Sequence, residues 1–301
     1  MNLAGIEIAH PVLNGSGTYD AIAAQRAFGP ALLDRFPFSA FVSKTITPEP
    51  RVGNHPPRLF ETPSGMINSI GLPNKGLDGF LASDLPQLAE LPVPLVVSVM
   101  GTSHDEFERL VAAVCARDEV AGVELNVSCP NVESGLIVGE QPVETVELLR
   151  RLRGLTSKPL IVKLTPNVAD PASIATAAEQ GGADAVSLIN TLKATAPDPE
   201  TLRPWLGGGR GGLSGAAVRA VALEQVRSVA AAVGIPVIGM GGVESGRDAL
   251  ALIAAGATAI AVGTASFRDP MAAERVRREL ETELERIGAG DHGAVKGRMV
   301  A

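Results

Sequence analysis

The sequence predicts a (β/α)8 TIM barrel with long excursions at its C-terminal mouth, one domain over residues 1–301. Three observations point there. Short apolar runs recur eight times, at 11–15, 41–45, 94–100, 122–127, 159–164, 185–190, 235–240 and 257–262. Segments with apolar residues at three-to-four spacing fall between many of them, at 103–117, 143–155, 171–181, 216–233 and 245–255. Those two spacings are the marks of strands and helices. The third observation is that the runs end in polar or glycine residues, as a barrel that gathers its chemistry at the C-terminal ends of its strands requires. A doubly wound open sheet is the alternative.

Local punctuation supports the helices. Asp170-Pro171 reads as an N-cap and a first-turn proline, and Gly181-Gly182, Gly234 and Gly256 stand where left-handed caps are wanted. With 46% hydrophobic but only 3% aromatic residues, the core must be aliphatic, as buried parallel strands are. The net charge of −7 and the lack of a basic run argue against nucleic acid as a partner. Two cysteines make no disulfide framework, and the N-terminus lacks a basic stretch followed by an apolar core, so a cytoplasmic protein is expected. Runs such as 94–100 fall far short of the roughly 20 residues that span a bilayer.

Taken in order, the strand ends carry Asn14 and Ser16, then Lys44 and Thr45, then Ser98. Asn126 and Cys129 follow, then Lys163, Asn190 with Thr191, Gly241-Gly242, and Gly263-Thr264. A lysine inside an apolar strand is costly unless paired or functional, so Lys44 in FVSKTI and Lys163 in LIVKLT mark a shared site. The stretch 122–131, GVELNVSCPN, alternates with the period of a strand and stops at Pro130, which has no N–H for a ladder. Cys129 therefore sits on a loop just past a strand. A free thiol, with a pKa of about 8.5, is close enough to neutrality for base chemistry; a buried structural cysteine is the other reading.

The glycines of 239–242 (GMGG) and Gly263-Thr264, at the seventh and eighth strand ends, match the usual phosphate cradle of such barrels. Segments 54–79 and 191–215 are too long for ordinary connections and read as excursions over the mouth. Gly207, Gly209 and Gly212 satisfy G-x-G-x-x-G, but Trp205-Leu206 is no strand and the βαβ context is missing, so a dinucleotide site is rejected. His10, His55, His104 and His292 lack metal-ligand spacing, and two cysteines cannot hold a four-thiolate cluster. No histidine stands in a recognisable relation to Cys129, which disfavours a Cys-His hydrolase, and Cys115 reads as a core residue.

NGSGT, SKTIT, ETPSGMINSIGLPN, NVSCPN, VKLTPN, INT, GGLSG, GMGGV and VGTA, in that order from end to end, resemble the motifs of class 1 dihydroorotate dehydrogenases. The resemblance implies a flavin enzyme of pyrimidine synthesis, with FMN at the barrel mouth, that oxidises dihydroorotate to orotate. It makes Cys129 the base that removes the C5 proton while C6 gives a hydride to FMN. Lys44, Asn68, Asn126, Asn190 and Thr191, with 69–72 (Ser69, Ile70, Gly71, Leu72), would hold the substrate. An anionic ring rich in amides wants one cation and several asparagines, which donate and accept. Lys163 would stabilise the charge of reduced FMN. Ser16, Lys44, Thr45, Ser98, Asn126, Ile189 and Gly215 would line the flavin, and Gly241, Gly242, Gly263 and Thr264 its phosphate.

Within the family, NVSCPNVESG, INTLK and GGLSG resemble the class 1B catalytic subunit. That subclass pairs with a partner subunit carrying FAD and a [2Fe–2S] cluster and passes electrons to NAD; a homodimer of this chain is expected, and a heterotetramer where that partner joins it. A fumarate-using class 1A homodimer is the alternative. Ser98 stands where class 1B relatives more often place asparagine, and the loop 192–210 also departs from their pattern. A phosphosugar isomerase or aldolase, or a non-flavin barrel that only binds a phosphate ligand, would use the cradle but leave NVSCPN idle.

Overall fold

The computed structural model describes residues 1–128 and 138–300. Eight parallel strands form one nearly closed barrel: β1 (Val12–Asn14), β2 (Phe41–Val42), β3 (Leu95–Val99), β4 (Val120–Asn126), β5 (Leu160–Lys163), β6 (Ala185–Leu188), β7 (Val237–Met240) and β8 (Ala259–Val262). From β2 to β8 each strand pairs with the next in sequence, and β8 returns to β1. The TIM barrel reading holds and the open sheet does not. The seam between β1 and β2 is closed by a side chain. Asn14 Nδ2 donates to the Val42 carbonyl at 2.8 Å, and the Val42 N–H donates to Asn14 Oδ1 at 2.7 Å. Asn14 thus supplies the ladder that two short strands cannot, and it is structural rather than part of the site.

The strands are short and aliphatic because both of their faces are covered. Val123, Leu125, Val162 and Val186 face the surrounding helices, whereas Leu13, Val42, Val96 and Ile161 pack inside the barrel. The hairpin of Asn2–Leu3 with Ile6–Glu7 plugs the lower end with Leu3 and Ile6. A space of about 10 Å³ remains there, room for about one water, so the barrel is a packed core and no pore.

Five helices stand where the spacing places them, at His104–Cys115, Pro142–Arg153, Pro171–Gly181, Arg219–Ala232 and Gly246–Ala254. Ser103 caps the first by accepting from the Glu106 N–H, and Asp170 caps the third through Ala172 and Ser173. The sequence reading stopped at the eighth strand and missed Ala272–Arg286, whose Val276, Leu280 and Leu284 are buried at four-residue spacing. It also missed the short helices Ala21–Phe28 and Pro30–Asp34.

The two excursions are one structure. Leu59–Thr62, Gly65–Asn68, Gly211–Ser214 and Leu192–Ala194 form a four-stranded antiparallel sheet above the mouth. Gly212 pairs with Asn68 and Leu213 with Ile67. The glycine run that mimicked a dinucleotide motif is a turn and bend at Gly207 and Gly209 that leads into a strand at Gly212, where a Cβ would overlap the Thr191 hydroxyl. Among the described residues no helix is long and apolar enough to cross a membrane.

Candidate active site

Under this sheet lie two adjoining cavities, one of about 490 Å³ and one of about 320 Å³. They share a wall made by Asn68, Ile70, Leu72, Asn126, Asn190 and Thr191. Both volumes suit small-molecule ligands. The wall is held under backbone tension: Leu72 has φ 54°, a left-handed conformation that costs a bulky side chain about 1–3 kcal/mol.

The larger cavity has a cationic wall and a glycine end. Ser16, Lys44, Thr45, Lys163, Ile189 and Gly215 line it, as do Gly241, Gly242, Gly263 and Thr264. Lys163, at the end of β5, is 5% exposed; its Nζ donates to Ser16 Oγ at 2.9 Å and lies 3.9 Å from Glu124 Oε1. Lys44 also reaches in. Its side chain stays largely open to solvent, yet its pKa is lowered, chiefly by partial desolvation, with Asp20 opposing and Arg58 adding to it, so an anionic ligand there would favour its charged form. At the far end Gly241 (φ 127°) and Gly242 (φ 74°) adopt conformations that other residues take up only with strain. Arg219 steadies that turn, donating from Nε to the Gly242 carbonyl at 2.8 Å while pairing with Glu244 and Asp248. Thr264 Oγ1 donates to Ser214 Oγ at 2.9 Å, joining the β8 end to the covering sheet. Open glycine backbone at one end and a buried ammonium at the other fit a phosphate-bearing cofactor that becomes negative when reduced.

The smaller cavity takes Ser69, Gly71 and Ser128 in addition to the shared wall. Asn54 donates to Ser69 Oγ at 3.0 Å, and Ser69 Oγ donates to the Arg210 carbonyl at 2.8 Å, binding the two excursions together. Ser128 Oγ donates to the Lys163 carbonyl at 3.2 Å, which fastens this lining residue to the end of β5. Cys129 lies outside the described residues, as do 132–137 of the segment 132–139 that follows it. Asn68 Nδ2 donates to the Gly212 carbonyl at 3.2 Å, and Asn190 Nδ2 to Asn126 Oδ1 at 3.3 Å.

One expected flavin residue does not reach the cavity. Ser98 is fully buried below it, and meets the site through Thr45, 2.9 Å away, and through Glu124, which lies 3.9 Å from Lys163 Nζ. The reason lies in the register: Ser98 pairs with Glu124, one layer beneath Asn126 and Lys163. The sequence reading also passed over Glu124, Ser187, Asn167 and Arg219. A charge in the middle of an apolar strand was the available signal at Glu124, the same signal that picked out both lysines.

Comparison with known proteins places this geometry. A family model described as dihydroorotate dehydrogenase matches residues 1–284. The chain is 45% identical over 283 residues to the catalytic subunit of dihydroorotate dehydrogenase B (NAD(+)) of Citrifermentans bemidjiense, covering 94% of this chain and 92% of that one. The corresponding subunit of Desulforudis audaxviator is 46% identical over 296 residues, covering 98% and 95%. A crystal structure of the dihydroorotate dehydrogenase of Eimeria tenella in complex with ferulenol matches with a TM-score of 0.79 at 25% identity, over 99% of this chain and 87% of that one.

Proposed function

The chain belongs to the dihydroorotate dehydrogenase family, an oxidoreductase family of pyrimidine synthesis, and on that premise we propose that it oxidises dihydroorotate to orotate with FMN, as the catalytic subunit of an NAD-linked enzyme. The observation that carries the proposal is the pair of cavities with a common wall of asparagines and Thr191. One has a phosphate cradle and a buried lysine; the other lies under the end of β4, next to Ser128.

In this reading the larger cavity holds FMN. Gly241, Gly242, Gly263 and Thr264 bind its phosphate, and Ser16, Thr45, Ile189 and Gly215 bound its ring. When bound, FMN supplies the acceptor for the hydride leaving C6 of the substrate. Lys163 places a positive charge beside it in a site shielded from water, where such charge acts most strongly. The substrate sits against the shared wall. Lys44 pairs with its carboxylate, and Asn68, Asn126, Asn190 and Thr191, with the backbone of 69–72, take its ring amides and carbonyls. Cys129 removes the C5 proton as a thiolate. Its place directly after Ser128, whose hydroxyl is fastened to β5, supports that role.

The whole chain, 1–301, acts as one catalytic domain in this proposal, in the cytoplasm. Electrons would pass to NAD through a partner subunit, a reading supported by the names of the type B relatives; the motif resemblance would put FAD and a [2Fe–2S] cluster on that partner. The first experiment is anaerobic. The purified chain is mixed with dihydroorotate and its visible spectrum recorded. A yellow band that bleaches supports bound FMN and the reductive half-reaction; a yellow band that persists removes dihydroorotate as the substrate of the isolated chain. Reoxidation of the bleached chain by fumarate alone would favour the class 1A homodimer over the NAD-linked assembly.

A further inference from the structure

We propose that Glu124, which lines neither cavity of the mouth, is the positioning residue that fixes which hydrogen-bonding groups Asn126 and Asn190 turn towards the substrate; the inference rests on the pyrimidine-site reading above. Glu124 is 3% exposed, on β4 inside the barrel. Burial of a carboxylate demands partners, and it has them. Ser98 Oγ donates to its Oε1 and Ser187 Oγ to its Oε2, each at 3.1 Å.

A carboxylate only accepts, and a serine has one hydroxyl proton. Since Ser98 gives that proton to Glu124, its 2.9 Å contact with Thr45 Oγ1 has Thr45 as the donor. Thr45 then accepts from Asn126, so the amide atom 3.4 Å from Thr45 Oγ1 is Nδ2. Asn126 Oδ1 is thereby turned to Asn190, and receives its Nδ2 at 3.3 Å. The other end of the chain gives the same answer. A backbone N–H can only donate: that of Thr191 reaches Asn190 Oδ1 at 2.9 Å, and that of Ser128 reaches Asn126 Oδ1 at 3.4 Å. Every bond from Asn190 through Asn126, Thr45 and Ser98 points the same way, towards Glu124. Chains aligned head to tail in a dry interior strengthen one another.

The direction decides what is left for a ligand. Asn126 Oδ1 already has two donors, so this side chain offers one N–H. Asn190 keeps one N–H and one lone pair. The pair therefore suits a ring that shows a carbonyl oxygen to Asn126 and an amide edge, C=O beside N–H, to Asn190. That is the pattern of a cyclic ureide. A chain running the other way would offer Asn126 as an acceptor and reject the same ring.

The test uses the full chain loaded with FMN and two probes measured by titration calorimetry: orotate, and picolinate, a ring carboxylate with no ring amide. Ser98→Ala keeps every charge and removes one link. It should weaken orotate about tenfold, the cost of a buried polar group left without its partner, while picolinate and FMN bind as in the wild type. Ser98→Thr should restore orotate. Glu124→Gln, whose amide donates as well as accepts and so dictates no direction, should weaken orotate likewise and spare picolinate; because it also removes the charge 3.9 Å from Lys163 Nζ, FMN affinity is the control for Ser98→Ala alone. Orotate binding unchanged in both variants overturns the proposal, and so does an equal loss for picolinate, which would mark a general structural role. Wild-type protein that takes up neither FMN nor orotate would instead defeat the functional reading beneath it.

Discussion

Lys163 Nζ donates to Ser16 Oγ at 2.9 Å, so the end of β5 is tied across the mouth to the loop after β1. A cation buried to this degree is held in place for something that needs it. Lys163→Ala should bind FMN more weakly, by about tenfold or more if the charge faces the flavin in a partly dry site, and its reduction by dihydroorotate should slow. Flavin release followed by fluorescence and anaerobic stopped-flow spectroscopy measure the two effects. Wild-type values in both would remove Lys163 from the site.

Cys129→Ala should keep its flavin and lose its base. A positioned base typically contributes about 10²–10⁴-fold, and the rate of flavin reduction should fall by that order. Full-speed reduction would strike Cys129 from the mechanism. A variant that cannot hold FMN would show instead that the thiol serves the fold.

Gly242→Ala tests the cradle. At φ 74° a Cβ is strained, and it would meet the Gly215 carbonyl and the Arg219 Cβ, each at 2.9 Å. The strain is of the order of 1–3 kcal/mol, and the turn can relieve it only by moving the N–H groups assigned to the phosphate. Affinity for FMN should drop by more than affinity for riboflavin, which lacks the phosphate. Equal losses for the two would place the phosphate elsewhere.

Asn14→Ala removes the side chain that closes the β1–β2 seam and leaves the Val42 N–H and C=O without it. Each buried group left unpaired costs about 1–3 kcal/mol, so urea unfolding should shift by about 3 kcal/mol. A shift below the usual scatter for surface substitutions would mean that water or a backbone rearrangement heals the seam.

His10 gives a stability that depends on pH. Burial, helped by Arg277 and opposed by Glu274, lowers its pKa from 6.5 to about 4, and its Nδ1 accepts the Val12 N–H at 3.3 Å. The folded protein therefore keeps this histidine neutral where the unfolded chain has begun to protonate it. The contribution is complete above pH 6.5 and is lost as the pH falls from there towards 4. Between those values the melting temperature of the wild type should fall more steeply than that of His10→Gln. Parallel curves would show that His10 titrates normally.

Much of the barrel was legible because its strands are aliphatic runs and its helices carry caps such as Asp170, and both signals are local. The site was legible where an odd residue stood at a strand end, as with Lys44 and Lys163. Glu124 was not, because polar alternation along a strand does not say whether the polar side meets solvent or a barrel interior. In β4 it meets the interior, and only Ala121 of its seven residues escapes burial. The pairing of the two excursions could not be read either. Asn68 and Gly212 carry no mark of each other, and their bond spans 144 positions.

That separation governs how the protein is made as well as how it is read. Gly65–Asn68 leaves the ribosome early, paired on one edge with Leu59–Thr62, and its other edge has no partner until Gly211–Ser214 follows, after six of the eight barrel strands. Loop closure over such a distance is slow and comes late. A nascent chain thus carries a bare strand edge and an unroofed mouth through nearly half of its synthesis, and Lys163 is made before the roof is complete. A cofactor taken up during that interval would meet an open basin rather than a lidded pocket, and the roof would then assemble over it.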